Sequence, residues 1–433
     1  MATYKVVDAD QLNADMTSVA DSIRTKGGTT EALAWPDGYK TAIEAIQTGG
    51  GGGGGGGSSG EPLDPVEVYN ATRPSDWLPM PTPADNEMYL LFHIPDGFSS
   101  LLAFTVTCTG NYTVALGSVS DGAFVQMSST TVASGSKYEA ELFADDYSDL
   151  TSYGMKQVMV KVSGTDILTW APSTHSKKTS PSNFAGWNIV EIACRIPSGT
   201  SVACGSSTEN SALKNLRYFA WYGKNAVTNM SHMFYYCTSL TAIQQLDTSA
   251  VTDMSDMFYT CRSIMAIPQI DTSAVTNMNR MFNNCSSLKA IPQMGTSAVT
   301  NMNRMFNNCQ SLTAIPQMDT SVVTDMSYMF INCYSLTEVP QFDTSVVTDM
   351  NRMLNSCYSL TAIALNSSVA GWAGYAVSLQ DCSLSHAAIV AFFNSLPTIT
   401  SANAITLTGN PGVSELTDAE KAIAIGKGWT LTL

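Results

Sequence analysis

The sequence predicts a mainly β chain with short helices: an N-terminal helical anchor, an antiparallel β-sandwich, a repeat solenoid with a parallel sheet, and a C-terminal α/β cap. Three observations carry that reading. Cys237, Cys261, Cys285, Cys309, Cys333 and Cys357 recur every 24 residues, period-two apolar stretches fill the region before them, and nine consecutive glycines, Gly49 to Gly57, separate both from a helical start. A fixed period of this length marks stacked coils, none of which buries its apolar face alone.

Taken in order, residues 1–48 read as two short helices. Leu12, Met16, Val19 and Ile23 form one apolar seam that Gly27-Gly28 ends, and Ile43 and Ile46 share a face of the second helix, which has Pro36 near its start. Fewer than 50 residues with one narrow seam make little core, so this piece is expected to dock on something or self-associate. Residues 49–60 are a polyglycine linker, a tether of roughly 20 Å span. Over 61–210, the stretches Met88–Ile94, Leu101–Cys108, Tyr112–Leu116, Tyr138–Leu142, Gln157–Val162 and Asn188–Ile192 alternate as strands do, with turn residues between them, which argues for a sandwich.

Residues 211–370 hold the six coils. Val323, Met326, Met329 and Phe330 fall on one face of a short helix or 3₁₀ turn, introduced by a Thr-Ser pair, while Leu336, Val339 and Phe342 mark an extended stretch that Pro340 keeps from being helical. Stacking at about 4.8 Å would place each residue type over its copy. Buried free thiols are expected in the Cys ladder rather than disulfides or metal, since there is no CxxC or Cys/His cluster. Tyr218, Phe219, Trp221 and Tyr222 are expected to cover the open end of the first coil. In 371–433, Leu384, Ala388, Phe392 and Leu396 predict a helix and Ala404–Thr408 a strand. Thr417-Asp-Ala-Glu420 is a capping box opening a last helix, and Trp429–Leu433 reads as a closing strand.

The unit Asp319-Thr-Ser-Val-Val-Thr-Asp-Met-Ser-Tyr-Met-Phe-Ile-Asn-Cys333-Tyr-Ser-Leu-Thr-Glu-Val-Pro-Gln resembles the BspA-like leucine-rich repeats of bacterial and phage surface proteins. The resemblance implies a curved, non-enzymatic binding scaffold. Departures are few: Gly295 replaces the ladder Asp, Leu354 replaces Phe, and Gln244 and Ala364 stand where inner coils have Pro. The run from Ala20 to Ile46 resembles a segment of phage structural proteins, which implies attachment to a particle. The segment from Gly110-Asn-Tyr-Thr-Val to Gly154-Met-Lys-Gln-Val resembles a polycystic-kidney-disease-type (PKD-like) sandwich, with Ala115-Leu-Gly-Ser where members carry W-G-D-G.

Composition narrows the function. The net charge of −15 is spread over all segments and only 13% of residues are charged, so no basic footprint for nucleic acid exists. No apolar run approaches the roughly 20 residues of a membrane helix, and the start lacks the layout of a signal peptide. An adhesin-like chain of that kind is expected of a virus released by lysis, hence a virion location.

No catalytic set is visible. The four histidines are scattered, G-x-S-x-G, H-E-x-x-H and P-loop motifs are missing, and His232 sits at a position that varies freely through Asp256, Arg280, Arg304, Tyr328 and Arg352, as a solvated face would. Asp247, Asp271, Asp319 and Asp343 precede Thr-Ser pairs and are read as caps rather than calcium ligands or glycosidase acids. No enzyme activity, cofactor or metal is expected. The outward row Gln245, Gln269, Gln293, Gln317 and Gln341, with Arg262, Tyr334 and Tyr358 just after their cysteines, suits a sugar surface, although such a Gln ladder also hydrogen-bonds to itself. The expected role is a phage tail fibre or tail-tip adhesin, a homotrimer. It would bind other phage proteins through residues 1–48 and a host-surface glycan or protein through its repeats. A capsid head fibre, a bacterial surface adhesin and a glycan depolymerase are the alternatives.

Overall fold

The computed structural model describes residues 69–433 except 71, 153, 174–187, 206–212, 245, 364–375 and 401–402. The anchor seam Leu12, Met16, Val19 and Ile23, the glycine run and Gln245 therefore lie outside the described residues.

The sandwich is one sheet folded on itself. Strands β1 (Glu87–Pro95), β2 (Ser99–Ser120), β3 (Ala123–Ala133), β4 (Lys137–Phe143), β5 (Met155–Pro172), β6 (Ile189–Arg195) and β7 (Ser201–Val202) take part. The two stretches expected as separate strands at Leu101–Cys108 and Tyr112–Leu116 are halves of the 22-residue β2. Its first half pairs with β4 and the end of β5, its second half with β3 and the start of β5. Register slips at Cys108–Tyr112, where Gly110 takes φ +75°, turn both long strands at one corner. Phe104, Val106 and Trp170 are thereby buried in the same core as Tyr112, Val114 and Val160. Strand β3 escapes sequence reading because it is almost wholly exposed, so no alternation marks it.

The sheet then continues into the solenoid. Strand β6 pairs in parallel with β8 (Tyr218–Trp221), and β8 with β9 (Ala242–Ile243). The aromatic lead-in is therefore no lid on an open end, because the sandwich itself closes it. Phe219 and Trp221 point into the core, where Phe219 meets Phe234 edge-on at 5.1 Å, while Tyr218 stacks outward on Tyr69 at 4.9 Å.

In the coils the expected helical turn is replaced by tight turns. Met254, Asp256, Phe258 and Thr260 donate their N–H groups to Asn277, Asn279, Met281 and Asn283 of the next coil, at 2.7–3.0 Å. The residues after the last three of these, Met257, Tyr259 and Cys261, bond three residues back. A helix would need every N–H locally, and Asp256 and Thr260 sit at φ +55° and +62°, which a right-handed helix forbids. The parallel ladder follows this wall, with bridges linking Asn229, Asp253, Asn277, Asn301, Asp325 and Asp349 in succession. The Leu-x-x-Val wall expected to hold the strand has little ladder, because prolines such as Pro316 and Pro340 bring no N–H. Gln244 stands in that place in the first coil, donates to Phe219 O at 2.8 Å, and there β9 forms.

The core columns are regular. Phe234, Phe258, Phe282, Phe306 and Phe330 stack with centroids 5.4, 5.5, 5.6 and 5.4 Å apart. All ten cysteines are free thiols. Each thiol from Cys261 to Cys333 donates at 3.1 Å to the carbonyl oxygen of the phenylalanine one coil back, which explains a small weak donor at this buried position. The column extends beyond the strict repeat: Cys237 reaches Cys204 O, and Cys382 reaches Leu354 O. Spacings of 33 and 25 residues hide those two outer turns from a period count. Buried Thr248, Thr272, Thr296 and Thr320 each donate to a carbonyl in the next coil at 2.6–2.8 Å.

The cap follows the expected order. It has β10 (Val377–Ser378), α1 (His386–Ser395), β11 (Asn403–Thr406), α2 (Asp418–Gly426) and β12 (Trp429–Thr432), the three strands forming a parallel sheet. Both halves of the Thr417/Glu420 capping box are present. Among the described residues no helix is long and apolar enough to cross a membrane.

Where sandwich meets solenoid, a charged group is buried. Glu191 accepts from the Tyr69 hydroxyl and holds Arg73 through both oxygens, at 2.6 and 2.8 Å. His93 is 3% exposed, and burial, with the Arg217 and Arg73 charges, pushes its imidazole from the usual 6.5 to about 4, against a small pull from Asp76 and a hydrogen bond with Gln157. Between pH 6.5 and 4 the unfolded chain takes up a proton that the fold refuses. Stability is thus whole above 6.5 and falls by about 3 kcal/mol as pH drops through that window. Urea titrations at pH 7 and pH 4.5 should show the loss, and His93→Gln should flatten it; parallel losses in both proteins would refute the assignment.

Candidate binding surface

The capping aspartates do the work expected of them, although at turns rather than helices. Asp247, Asp271 and Asp319 accept from the N–H and hydroxyl of the serine two residues on, and these bonds hold each carboxyl below its usual range. A second series does likewise, with Asp253, Asn277, Asn301, Asp325 and Asp349 accepting the N–H two residues on at 2.8–3.1 Å.

The glutamines form an exposed row whose amide nitrogens serve the fold. Gln269, Gln293 and Gln317 each donate to the main-chain oxygen of the glutamine one coil on, at 2.7–2.8 Å, the last reaching Gln341. Tyr334 and Tyr358 stack on adjacent coils with centroids 5.0 Å apart, and Tyr358 is 53% exposed. Arg262 is also exposed, two coils before Gln310 at the same repeat position. The structure thus joins the glutamines into one row and the two tyrosines into another.

A third group was not legible as a site. On the first two coils Tyr235 stacks on Tyr259 with centroids 4.5 Å apart, Tyr236 meets both edge-on, and His232 lies 5.1 Å from Tyr235. Asp256 stands beside them, 3.8 Å from the His232 ring nitrogen, with Oδ1 buried and lacking a hydrogen-bond partner. Burial raises its carboxyl above the usual range, with His232 and Arg280 opposing. Further along, the Arg304 guanidinium lies 4.8 Å over Tyr328. At the varying position read as a solvated face, neighbours thus pair, His232 with Asp256 and Arg304 with Tyr328. The signal was substitution against the repeat, since inner coils carry Asn283-Asn284 and Asn307-Asn308 where the first has Tyr235-Tyr236.

The reason asparagine suits the inner coils is visible. Asn284, Asn308 and Asn332 adopt φ near +60°, and Asn332 and Asn308 donate along the column to Asn308 and Asn284 at 2.8 and 2.9 Å. Exchange for tyrosine at the N-terminal end trades that ladder for ring surface.

The repeat segment matches a protein-family model, described as Mycoplasma protein of unknown function, DUF285, over residues 208–314 and again over 286–388. The repeats fit a BspA-like leucine-rich-repeat protein. Among solved structures, a leucine-rich-repeat protein of T. pallidum is similar at 14% identity over 56% of this chain and 90% of that one, with a TM-score of 0.28. TLR13, solved as a complex with ssRNA13, is similar at 12% identity over 55% of this chain and 39% of that one, with a TM-score of 0.26. The match thus spans about two fifths of TLR13. No curated protein matches the chain.

Proposed function

We propose that this protein is a phage virion component, a tail fibre or tail-tip adhesin that holds the particle through residues 1–48 and binds the host cell surface through its BspA-like repeats. The observation that carries the reading is the Tyr235, Tyr236, Tyr259, His232 and Asp256 cluster, which stands where coils three and four carry paired asparagines. Stacking like over like already satisfies the coil interior, so the rings are not needed for folding at that place. Half-buried tyrosines on a rigid wall offer contact area with little side-chain entropy to lose, as recognition surfaces do. The glycine run supplies reach, and the sandwich, on the PKD-like reading, is the spacer that presents the coils.

The test is adsorption of labelled protein to a panel of Gram-positive and gut bacteria, comparing the wild-type chain with the Tyr235→Ser/Tyr259→Ser variant. Staining of one or more strains, reduced at least tenfold in a variant with unchanged melting, is the expected result. Equal staining by both proteins would reject the tyrosine cluster as the contact surface, and none by the wild type would reject the adhesive role. Antibodies against residues 61–433 should also decorate the tail of the particle; decoration of the head would move the protein to the capsid.

A further inference from the structure

A recessed site lies at the junction of sandwich and solenoid, lined by none of the tyrosine cluster. It is a cavity of about 160 Å³ walled by Trp77, His93, Asn188, Arg217, Asn215 and Ser239. Residues far apart in the chain build it. His93 comes from β1, just past the register slip between Leu91 and Phe92, and its N–H donates to Asn188 O at 2.9 Å. Arg217 is tied by its own N–H to Val190 O at 2.7 Å, and Ser239 arrives from the first coil, tied to Lys214 O at 3.1 Å. Bulges that re-aim side chains in this way recur beside binding sites.

The charges are unequal. Two guanidiniums flank the Trp77 ring, Arg73 at 5.6 Å and Arg217 at 5.4 Å from its centroid. Arg73 is neutralised by Glu191, whose oxygens are all engaged by Arg73 and Tyr69. Among the described residues no carboxylate stands within 4.0 Å of Arg217. Arg217 is an exposed arginine held over a tryptophan face, with no acid of the described residues in reach. Its planar fork matches a carboxylate, while the Asn215 amide, the Ser239 hydroxyl and the oxygen of the Asn188 amide, whose nitrogen already donates to Ser100 at 2.7 Å, match sugar hydroxyls. The volume takes one pyranose ring and no drug-sized molecule.

We infer that this junction cavity binds the carboxylate-bearing monosaccharide of an acidic glycan, with Arg217 as its anion-holding residue. The inference goes beyond the adhesive reading, because its site is not the tyrosine cluster, and it rests on that reading only for the glycan's cellular source.

Calorimetric titration of the full chain with D-glucuronate, D-glucose and acetate tests it. Glucuronate should bind at least tenfold more tightly than either glucose or acetate. Arg217→Ala should lower its affinity about tenfold, to the glucose level, with melting unchanged because the side chain is exposed; Arg217→Lys should recover only part of it. Equal affinity for glucuronate and glucose, or no effect of Arg217→Ala, overturns the site. Acetate binding as tightly as glucuronate overturns the sugar and leaves a bare-carboxylate pocket. If glucuronate binds as expected and no cell is stained, the cavity assignment stands and the adhesin reading falls.

Discussion

Replacing Phe306 by alanine is expected to lower the folding free energy by about 3–5 kcal/mol, the range for truncating a buried aromatic ring. The ring is fully buried in the middle of its column, 5.6 Å from Phe282 and 5.4 Å from Phe330. Its neighbours cannot close the gap, because the coil spacing is set by main-chain bonds such as Phe306 N–H to Met329 O, at 2.9 Å, on either side of it. The Cys333 thiol would keep its acceptor, since that is the main-chain oxygen of residue 306. The loss therefore isolates the packing contribution. Urea denaturation followed by circular dichroism measures it, and a cost below about 1 kcal/mol would mean that the column collapses freely, contrary to the close packing expected of such interiors.

A larger effect separates two deletions. Removing residues 277–300 joins Thr276 to Asn301, which occupies the same place one coil later, so every column stays in register. Solenoid stability is close to a sum of repeat and interface contributions, and the shortened protein should melt cooperatively with a modest loss. Removing 277–288, half a coil, takes away Met278, Met281, Phe282, Cys285 and Leu288, all buried, and sets the next coil half a turn out of place. That variant should lose its folded solenoid. Thermal melts and limited proteolysis of the two proteins check the pair. Equal behaviour would show that the coils do not act as interchangeable units.

How much of this was legible in the sequence depends on whether a residue's task was local or shared. The Asp-Thr-Ser turns could be read because an aspartate and a serine two residues on meet without help from the rest of the chain. The Thr417/Glu420 box could be read for the same reason. The helical turn was misjudged because the spacing of Val323, Met326, Met329 and Phe330 satisfies a helix as well as it satisfies alternate turns. What decides between them is the N–H groups reaching the neighbouring coil. The two outer turns ending at Cys204 and Cys382 lack the period that gives the others away. Contact between residues 24 apart follows from the stacking, but that Asp256 buries a carboxyl oxygen beside His232 and the tyrosine rings is set by the turn geometry.

By itself the sequence determined the repeat, its 24-residue length, the stacking of like on like and the order of elements in the cap, since all follow from periodicity and nearest-neighbour chemistry. Only the tertiary structure decided which wall carries the ladder, that sandwich and solenoid share one continuous sheet, and that Arg217, Trp77 and His93 face a common cavity. The physical reason is range. A pattern along the chain records what each residue must bury, whereas the partner it is buried against comes from strands and coils distant in sequence, and their pairing is chosen by the whole core at once.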